Sequence, residues 1–429
     1  MRGRLNLFQS AMLRWREFHP YNAVHVAELP GALDADRLQR AICAHLSELG
    51  VARLSLDAPR RRYEYAGGEA TYALPILDGG ADPLPVIERE MERQLNAAFA
   101  PSGPFEAFRF FAVTAPGSFH VGVAYDHFVA GGDSIVALLE GIAARYDGYA
   151  RTDVPPPDLY PPTYARLFRR NALAFYVGQY LLPGMLFRAR RAFRPLYRYG
   201  EGWDNAFTSF ELAPDLYAAV MRNAKAWGVT FNDLLTAMLL MALAPEVPER
   251  LTARRRREIA IACVINLRGE IAPSTERSFG QFLSSFMVSH PVPAGTTLEA
   301  LARDVHAQTR RVKRRKLYLQ TLFLIACGGF VWPFMTTAQR RQMYAKNYPV
   351  WAGVSTLNVE AMWRSAPGGA RVLHYLRAIS TGPFSPIVLA PASVGECLHV
   401  GVSYRTAAFR PDDIGRITGA IMECARSLA

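Results

Sequence analysis

The chain has 429 residues, with 49 Lys and Arg against 37 Asp and Glu, a formal net charge of +12 at pH 7. Half of its residues are hydrophobic and a fifth are charged. That balance excludes a disordered or fibrous chain, and the length calls for about two domains. The basic excess favours acidic partners: a phosphorylated cosubstrate, an acidic carrier protein or an anionic membrane surface. No nucleic-acid motif accompanies it, so nucleic acid is not expected as a partner. Cys43, Cys263, Cys327, Cys397 and Cys424 are far apart and odd in number, which argues for reduced thiols in a cytoplasmic protein rather than a disulfide framework. No His, Cys or carboxylate cluster has metal-ligand spacing and no glycine-rich phosphate loop occurs, so neither a metal nor a bound cofactor is expected.

Leu5, Phe8 and Met12 predict a helix over 5–17, and Val24 to Leu29 a strand. Asp34 is the expected cap of an amphipathic helix that carries Leu38, Ile42 and Leu46 on one face. Short strands follow over 51–77, then a helix over 84–99. Residues 108–114 and 118–126 are expected to pair as adjacent antiparallel strands. The second of these leads into Asp126-His127-Phe-Val-Ala-Gly131-Gly132-Asp133-Ser134, and apolar residues then recur at helical spacing at Ile135, Leu138, Leu139 and Ile142. The pattern is strand, glycine turn, helix, with Ser134 the expected N-cap and Asp133 beside the positive helix end. An imidazole presented there titrates near neutrality, which suits a general base.

The proline cluster over 153–162 reads as a linker. Residues 171–187 are uncharged and are followed at once by Arg188, Arg190, Arg191, Arg194 and Arg198. Their length and internal Pro-Gly fit an interfacial or groove-lining helix better than a membrane span. Phe207 to Leu212 is the strand expected to open a second lobe. Pro214 to Trp227 is helical, and Gly228-Val-Thr-Phe-Asn232-Asp233 leads a strongly apolar helix, where Asn232 and Asp233 act as capping residues. Ile259 to Arg268 reads as a buried strand ending in an arginine. Phe279-Gly-Gln-Phe is a turn into the next strand, and 297–316 a helix ending in the basic run Arg310 to Lys316. The uncharged stretch 317–339 is long enough to span a bilayer but is broken by Gly328, Gly329 and Pro333, so a buried helix is expected, with interfacial contact the alternative and a span the least favoured. The last hundred residues alternate strands, Val354–Val359 among them, with turns, and close on a helix from Pro411 to Leu428.

Three of these runs resemble those of the chloramphenicol acetyltransferase-like superfamily, which includes peptide-synthetase condensation domains, wax ester synthases and polyketide-associated acyltransferases. The run from Asp126 to Ser134 is similar to its His-His-x-x-x-Asp-Gly motif. His127 falls on the second, catalytic histidine and Gly132 on the glycine. Asp126 replaces the first histidine, and Gly131 replaces an aspartate that is mainly architectural in the family and pairs with an arginine. The run from Gly228 to Leu235 and the strand Val264-Ile-Asn-Leu-Arg268 are the second and third matches, and Arg268 falls on that partner arginine. Phe279-Gly-Gln-Phe resembles a family turn that crosses from one lobe toward the other.

The resemblance implies an α/β, two-lobed chloramphenicol acetyltransferase-like fold, with mixed sheets flanked by helices and a tunnel between the lobes. Residues 1–152 would form the N-terminal lobe, 153–205 a crossover with the apolar-basic helix, and 206–429 the C-terminal lobe. It implies acyl transfer from a thioester, coenzyme A or a phosphopantetheine carrier protein, to a hydroxyl or amine acceptor. His127 would be the base, and donors around Gly132, Ser285 or Ser355 would face the oxyanion. Asp126, Asp133 and Arg268 would support the loop. With the motif aspartate gone, a buried Arg268 needs another carboxylate, and Asp133 is the first choice. Two alternatives stay open: a non-catalytic or repurposed member of the superfamily, and a lipid acyltransferase peripheral to a membrane.

Overall fold

The computed structural model describes residues 1–149, 158–159, 163–271, 278–363 and 371–429. The proline linker 153–162 lies outside the described residues except for Asp158 and Leu159. The N-terminal segment supplies strands β1 (Asn22–Pro30), β2 (Ile76–Asp78), β3 (Phe108–Ala115) and β4 (Ser118–Asp126), with helices α1 (Leu7–Trp15), α2 (Ala35–Leu49), α3 (Leu84–Asn96) and α4 (Gly132–Tyr146). β3 and β4 pair antiparallel, as their alternation predicts. β4 is buried along its whole length, as a strand covered on both faces must be. Its Gly122 lies opposite Phe111, and a Cβ there would meet the Phe111 ring at 2.1 Å. Only glycine fits under that ring.

After the crossover helix α5 (Ala172–Ala189) come β5 (Asn205–Leu212), α6 (Phe231–Leu243), β6 (Ile259–Asn266), β7 (Leu283–His290), α7 (Leu298–Arg314), α8 (Tyr318–Val331) and β8 (Ala352–Val354). The chain ends with β9 (His374–Ile379), β10 (Ile387–Val394), β11 (Cys397–Arg405) and α9 (Pro411–Arg426). The C-terminal sheet runs β5-β11-β10-β8-β6-β7, with Leu357–Asn358 alongside β10. Its pairs are parallel at β10–β8 and β8–β6 and antiparallel elsewhere along that path. The N-terminal sheet runs β9-β1-β4-β3-β2. The architecture is therefore two lobes, each built on a mixed sheet flanked by helices.

The lobes are not separate in sequence. β9 comes from the C-terminal segment yet pairs antiparallel with β1. Phe279 and Phe282 bury in the core of the N-terminal lobe with Tyr125 and Tyr375. The 206–429 segment thus gives a strand and an anchor to the first lobe, because a strand edge left unpaired and a phenylalanine left exposed both cost free energy.

Local details differ from the sequence pattern at four places. Helix α4 begins at Gly132 with Gly131 as its N-cap residue, and Ser134 is inside the first turn. Arg268 does not end a strand; it begins the helical turn Arg268–Ile271, half-buried. The strand expected over Val354–Val359 is split into Ala352–Val354 and Leu357–Asn358. The uncharged 317–339 stretch is broken into α8, a 3₁₀ turn at Trp332–Phe334 and the start of a new helix capped by Thr336. It is not wholly buried, because Phe330 and Phe334 are exposed. No single described helix is long and apolar enough to cross a membrane.

The start of α6 shows why its run is so specific. Thr230 is the N-cap and Asp233 closes a capping box. The Asp233 carboxylate, almost fully buried, also accepts from the Thr309 hydroxyl at 2.7 Å and lies 2.8 Å from His306 Nδ1. Those hydrogen bonds hold its carboxyl below the usual range against the penalty of burial. Asp233 thereby bolts α7 onto α6. Asp233→Ala is expected to cost about 3 kcal/mol in urea unfolding and Thr230→Ala about 1 kcal/mol; equal and negligible losses would show that the cap carries no such network.

Candidate active site

The buried strand β4 delivers Asp126 and His127 to the seam between the lobes. They point apart, as successive residues at a strand end do. Asp126 turns toward α1, where Arg16 Nη1 lies 2.7 Å from its Oδ2. Burial pushes its carboxyl up to about 6 against the pull of Arg16, whose Nη1 makes no aligned hydrogen bond there. The His127 backbone N–H donates to Tyr21 O at 2.9 Å, and its ring packs beside Tyr21 and Tyr125, with centroids at 5.5 and 6.1 Å. The residue is 8% exposed. It is nearly enclosed by these rings and by the crossing segment.

That segment is Gly280-Gln281. The Gly131 N–H donates to Gly280 O at 2.8 Å and the Asn6 amide, at the cap of α1, donates to Gln281 O at 2.8 Å. Pinned at both points, Gln281 places its amide Nε2 3.4 Å from His127 Nδ1. Gln281 Oε1 is buried without a hydrogen-bond partner. Turning the amide over is chemically equivalent in shape and gives Oε1 the Nδ1–H of His127. That tautomer leaves Nε2 as the unprotonated nitrogen.

Arg377, on β9, is the largest electrostatic feature here. It is 2% exposed. Its Nη1 donates to Ser355 O at 2.8 Å and its Nη2 lies 3.4 Å from Ser355 Oγ. Among the described residues no carboxylate forms an ion pair with it, and its Nε has no partner. Burial first, and then the Arg377 charge, bring His127 down to about 4. His127 is therefore neutral at pH 7. His25 is lowered further, by burial and then Arg377, and sits between the Tyr375 hydroxyl at 2.7 Å and the Tyr125 hydroxyl at 3.2 Å.

Gly132 closes the constellation. A Cβ on it would come within 2.6 Å of Leu357 Cδ1, 3.3 Å of Arg377 Nη2 and 3.4 Å of His25 Cε1. Glycine lets the start of α4 approach the buried guanidinium. The structure also brings together Asp133 and Arg268: Arg268 Nε lies 3.0 Å from Asp133 Oδ2, and Asn266 donates to the same oxygen at 3.0 Å. Arg268 Nη2 reaches Ser134 Oγ at 3.3 Å. Of the two hydroxyls expected near the oxyanion, Ser355 is held against Arg377, whereas Ser285 lies on β7 beside Tyr348.

Sequence reasoning did not single out Arg377, Gln281, His25, Tyr125 or Tyr375. A signal existed for one of them: Arg377 is a lone charge in the otherwise apolar run Tyr375-Leu-Arg-Ala-Ile. Far from His127, Glu211, His374 and His399 converge within 4.8 Å, a cluster that spacing along the chain does not reveal.

With this geometry in place, the likenesses to known proteins are specific. Residues 205–329 match the family model described as the phthiocerol/phthiodiolone dimycocerosyl transferase C-terminus. No curated protein matches the sequence. The first condensation domain of the calcium-dependent antibiotic synthetase, in complex with a substrate analogue, superposes with a TM-score of 0.73 at 15% identity, over 100% of this chain and 97% of that one. The SgcC5 protein from Streptomyces globisporus gives 0.67 at 13% identity over 99% and 98%. The epimerization domain from the third module of tyrocidine synthetase B gives 0.66 at 13% identity over 100% and 96%. The chain has the two-lobed fold of condensation domains.

Asp133→Asn removes the charge that Arg268 and Asn266 share. It is expected to lower unfolding free energy by about 1–3 kcal/mol and to loosen the start of α4, read as faster amide exchange at Gly131 to Ile135. Unchanged stability and exchange would show that the Asp133–Arg268 pair does not brace the loop.

Proposed function

We propose that the protein is an acyltransferase that moves an acyl group from a thioester, on coenzyme A or a carrier protein, to a hydroxyl or amine acceptor. The observation that carries this reading is a neutral, enclosed histidine beside a buried guanidinium that makes no ion pair among the described residues, in a condensation-like fold. His127 Nε2 takes the proton of the acceptor as its oxygen or nitrogen attacks the thioester carbonyl. The carbonyl oxygen becomes an oxyanion. In this reading Arg377 and the Gly132 backbone N–H would face it, with the Ser355 hydroxyl beside Arg377. Collapse of the tetrahedral intermediate breaks the C–S bond, and the imidazolium returns the proton to the leaving thiolate. Ser285, held beside Tyr348, has no part in this reading. The low value of His127 costs basicity but keeps it deprotonated, and the adjacent cation offsets the loss by stabilising the charge that develops.

The same fold is named for epimerization in the tyrocidine synthetase domain, so the fold alone does not choose the reaction. A panel of acyl thioesters with hydroxyl and amine acceptors, followed by free-thiol release, tests it. His127→Ala is expected to lower kcat/KM by about 100-fold or more, and Arg377→Met by a comparable factor. Activity should stay level as pH falls from 8 and decline only near 4, because the imidazole must be neutral to accept a proton. Thiol release unchanged in His127→Ala would refute the role assigned to it.

A second feature bears on the substrate. Helices α5 and α8 are latched by Gln320, which accepts from Gln179 Nε2 at 2.8 Å and donates to Phe175 O at 3.0 Å. Gly178 makes room for it, since a Cβ there would meet Gln320 Nε2 at 2.1 Å. The outer faces of the pair show Leu173, Tyr176, Tyr180 and Phe187 on α5, with Phe330 on α8 and Phe334 just beyond it, each more than two-thirds exposed. Arg188, Arg190 and Arg310 to Arg315 provide cations nearby in sequence. An apolar face rimmed by arginines fits an anionic lipid surface, and with it a lipid-like acyl or acceptor group. The expected result is cosedimentation with vesicles containing phosphatidylserine that weakens as salt rises and is lost in Tyr180→Asp with Phe334→Asp; salt-insensitive or absent binding would remove the membrane reading while leaving acyl transfer intact.

A further inference from the structure

We propose that Glu211, His374 and His399 form a divalent-metal site that ties the two lobes together, with zinc the best match to its donors. The three ligand atoms lie within 4.8 Å of one another. Glu211 on β5 and His399 on β11 are direct cross-strand neighbours in the C-terminal sheet. His374 opens β9, the strand that completes the N-terminal sheet. A single ion held by all three would therefore staple one sheet to the other.

The observation that asks for a ligand is His399. It is 3% exposed, and neither of its ring nitrogens has a hydrogen-bond partner. The nearest acid oxygen, Glu211 Oε2, is 3.4 Å from Nδ1 without hydrogen-bond alignment. The His374 ring centroid is only 3.7 Å from that of His399, with the planes at 54°. Two imidazoles in contact, one of them orphaned inside the protein, is an arrangement folded chains rarely leave unsatisfied. A cation between imidazole and carboxylate donors satisfies it, and two histidines with one carboxylate is a donor set that suits zinc.

The surroundings support the assignment. Glu28 and His120 face His374 across the N-terminal sheet, in register at Glu28 with both. Glu28 is fixed by the Ser118 hydroxyl at 2.6 Å and lies 3.7 Å from His120 Nε2. A further carboxylate thus lies in register with His374 on the neighbouring strand. Cys397, two residues before His399 on the same face of β11, lies against Glu211. Glu211 is 43% exposed, so an ion can enter from solvent. The site lies six residues along β1 from the Asp126 end, about 20 Å away, and does not depend on the acyl-transfer reading.

The test uses tag-free, full-length protein stripped with a chelator and titrated with zinc alone by calorimetry and thermal melting. One equivalent should bind, with a rise in Tm, and cobalt should give the visible absorption of a tetrahedral site. Glu211→Gln and His374→Gln, at the partly exposed rim, should each weaken zinc binding by about 100-fold while the metal-free proteins keep the parent fold by circular dichroism. His127→Ala should bind zinc as the parent does. No stoichiometric binding, or binding and Tm shift unchanged in both rim variants, would overturn the proposal.

Discussion

A buried guanidinium that makes no ion pair among the described residues is the constraint on which the seam between the lobes depends. Removing a cation from water costs several kcal/mol unless fixed dipoles replace the solvent. Arg377 meets that demand with the Ser355 and Pro391 carbonyls, both from the C-terminal lobe, while its own strand belongs to the N-terminal sheet. The lobes are thus joined through the solvation of one charge. The same charge acts outward: it lowers His127 and His25 and draws the phenols Tyr125 and Tyr375 into its field. A site that holds a neutral imidazole next to an unneutralised cation is arranged to receive negative charge.

The glycine loop gives that charge its neighbour. Gly131 sits at an ordinary extended φ of −84°, so no conformational strain requires glycine. Space is tight instead: a Cβ there would lie 2.9 Å from Asp133 Oδ1, the end of a side chain that would have to shift, and in ordinary contact with Gly280 O at 3.5 Å. The carboxylate that braces Arg268 comes from two residues later, and the room an aspartate side chain would need at 131 is taken by that carboxylate and by the crossing segment. The departure from the family motif and the pairing of Asp133 with Arg268 are two sides of one packing arrangement. Asp126 similarly leaves the seam altogether and turns to Arg16.

Elsewhere the lobes are held by unrelated means. Asp233 locks two helices of the C-terminal lobe through four hydrogen bonds to three residues, and Gln320 latches α5 to α8 with its two amide ends. These polar bolts leave apolar faces free where they are not needed for the core, which is how Tyr180 and Phe334 come to be exposed on otherwise ordered helices.

Much of the chain was legible in its sequence. Alternation, helical spacing and apolar runs marked β1, β3, β4, α2, α6 and α9, because local sequence records whether an element buries one face or, as β4 does, both. The strand–glycine–helix pattern located His127, and the missing aspartate pointed to a substitute carboxylate for Arg268. What the sequence could not carry was any feature made by residues distant in the chain. Gln281 and Arg377 act on His127, and Ser355 on Arg377, from three different segments of the C-terminal half, and Glu211, His374 and His399 meet only because β9 joins the sheet of the other lobe. Whether Ser355 or Ser285 would face the site was likewise a matter of register and crossing. Side-chain periodicity reports which face of an element is buried, but which elements share a seam is decided by sheet order, and that exists only once the chain has folded.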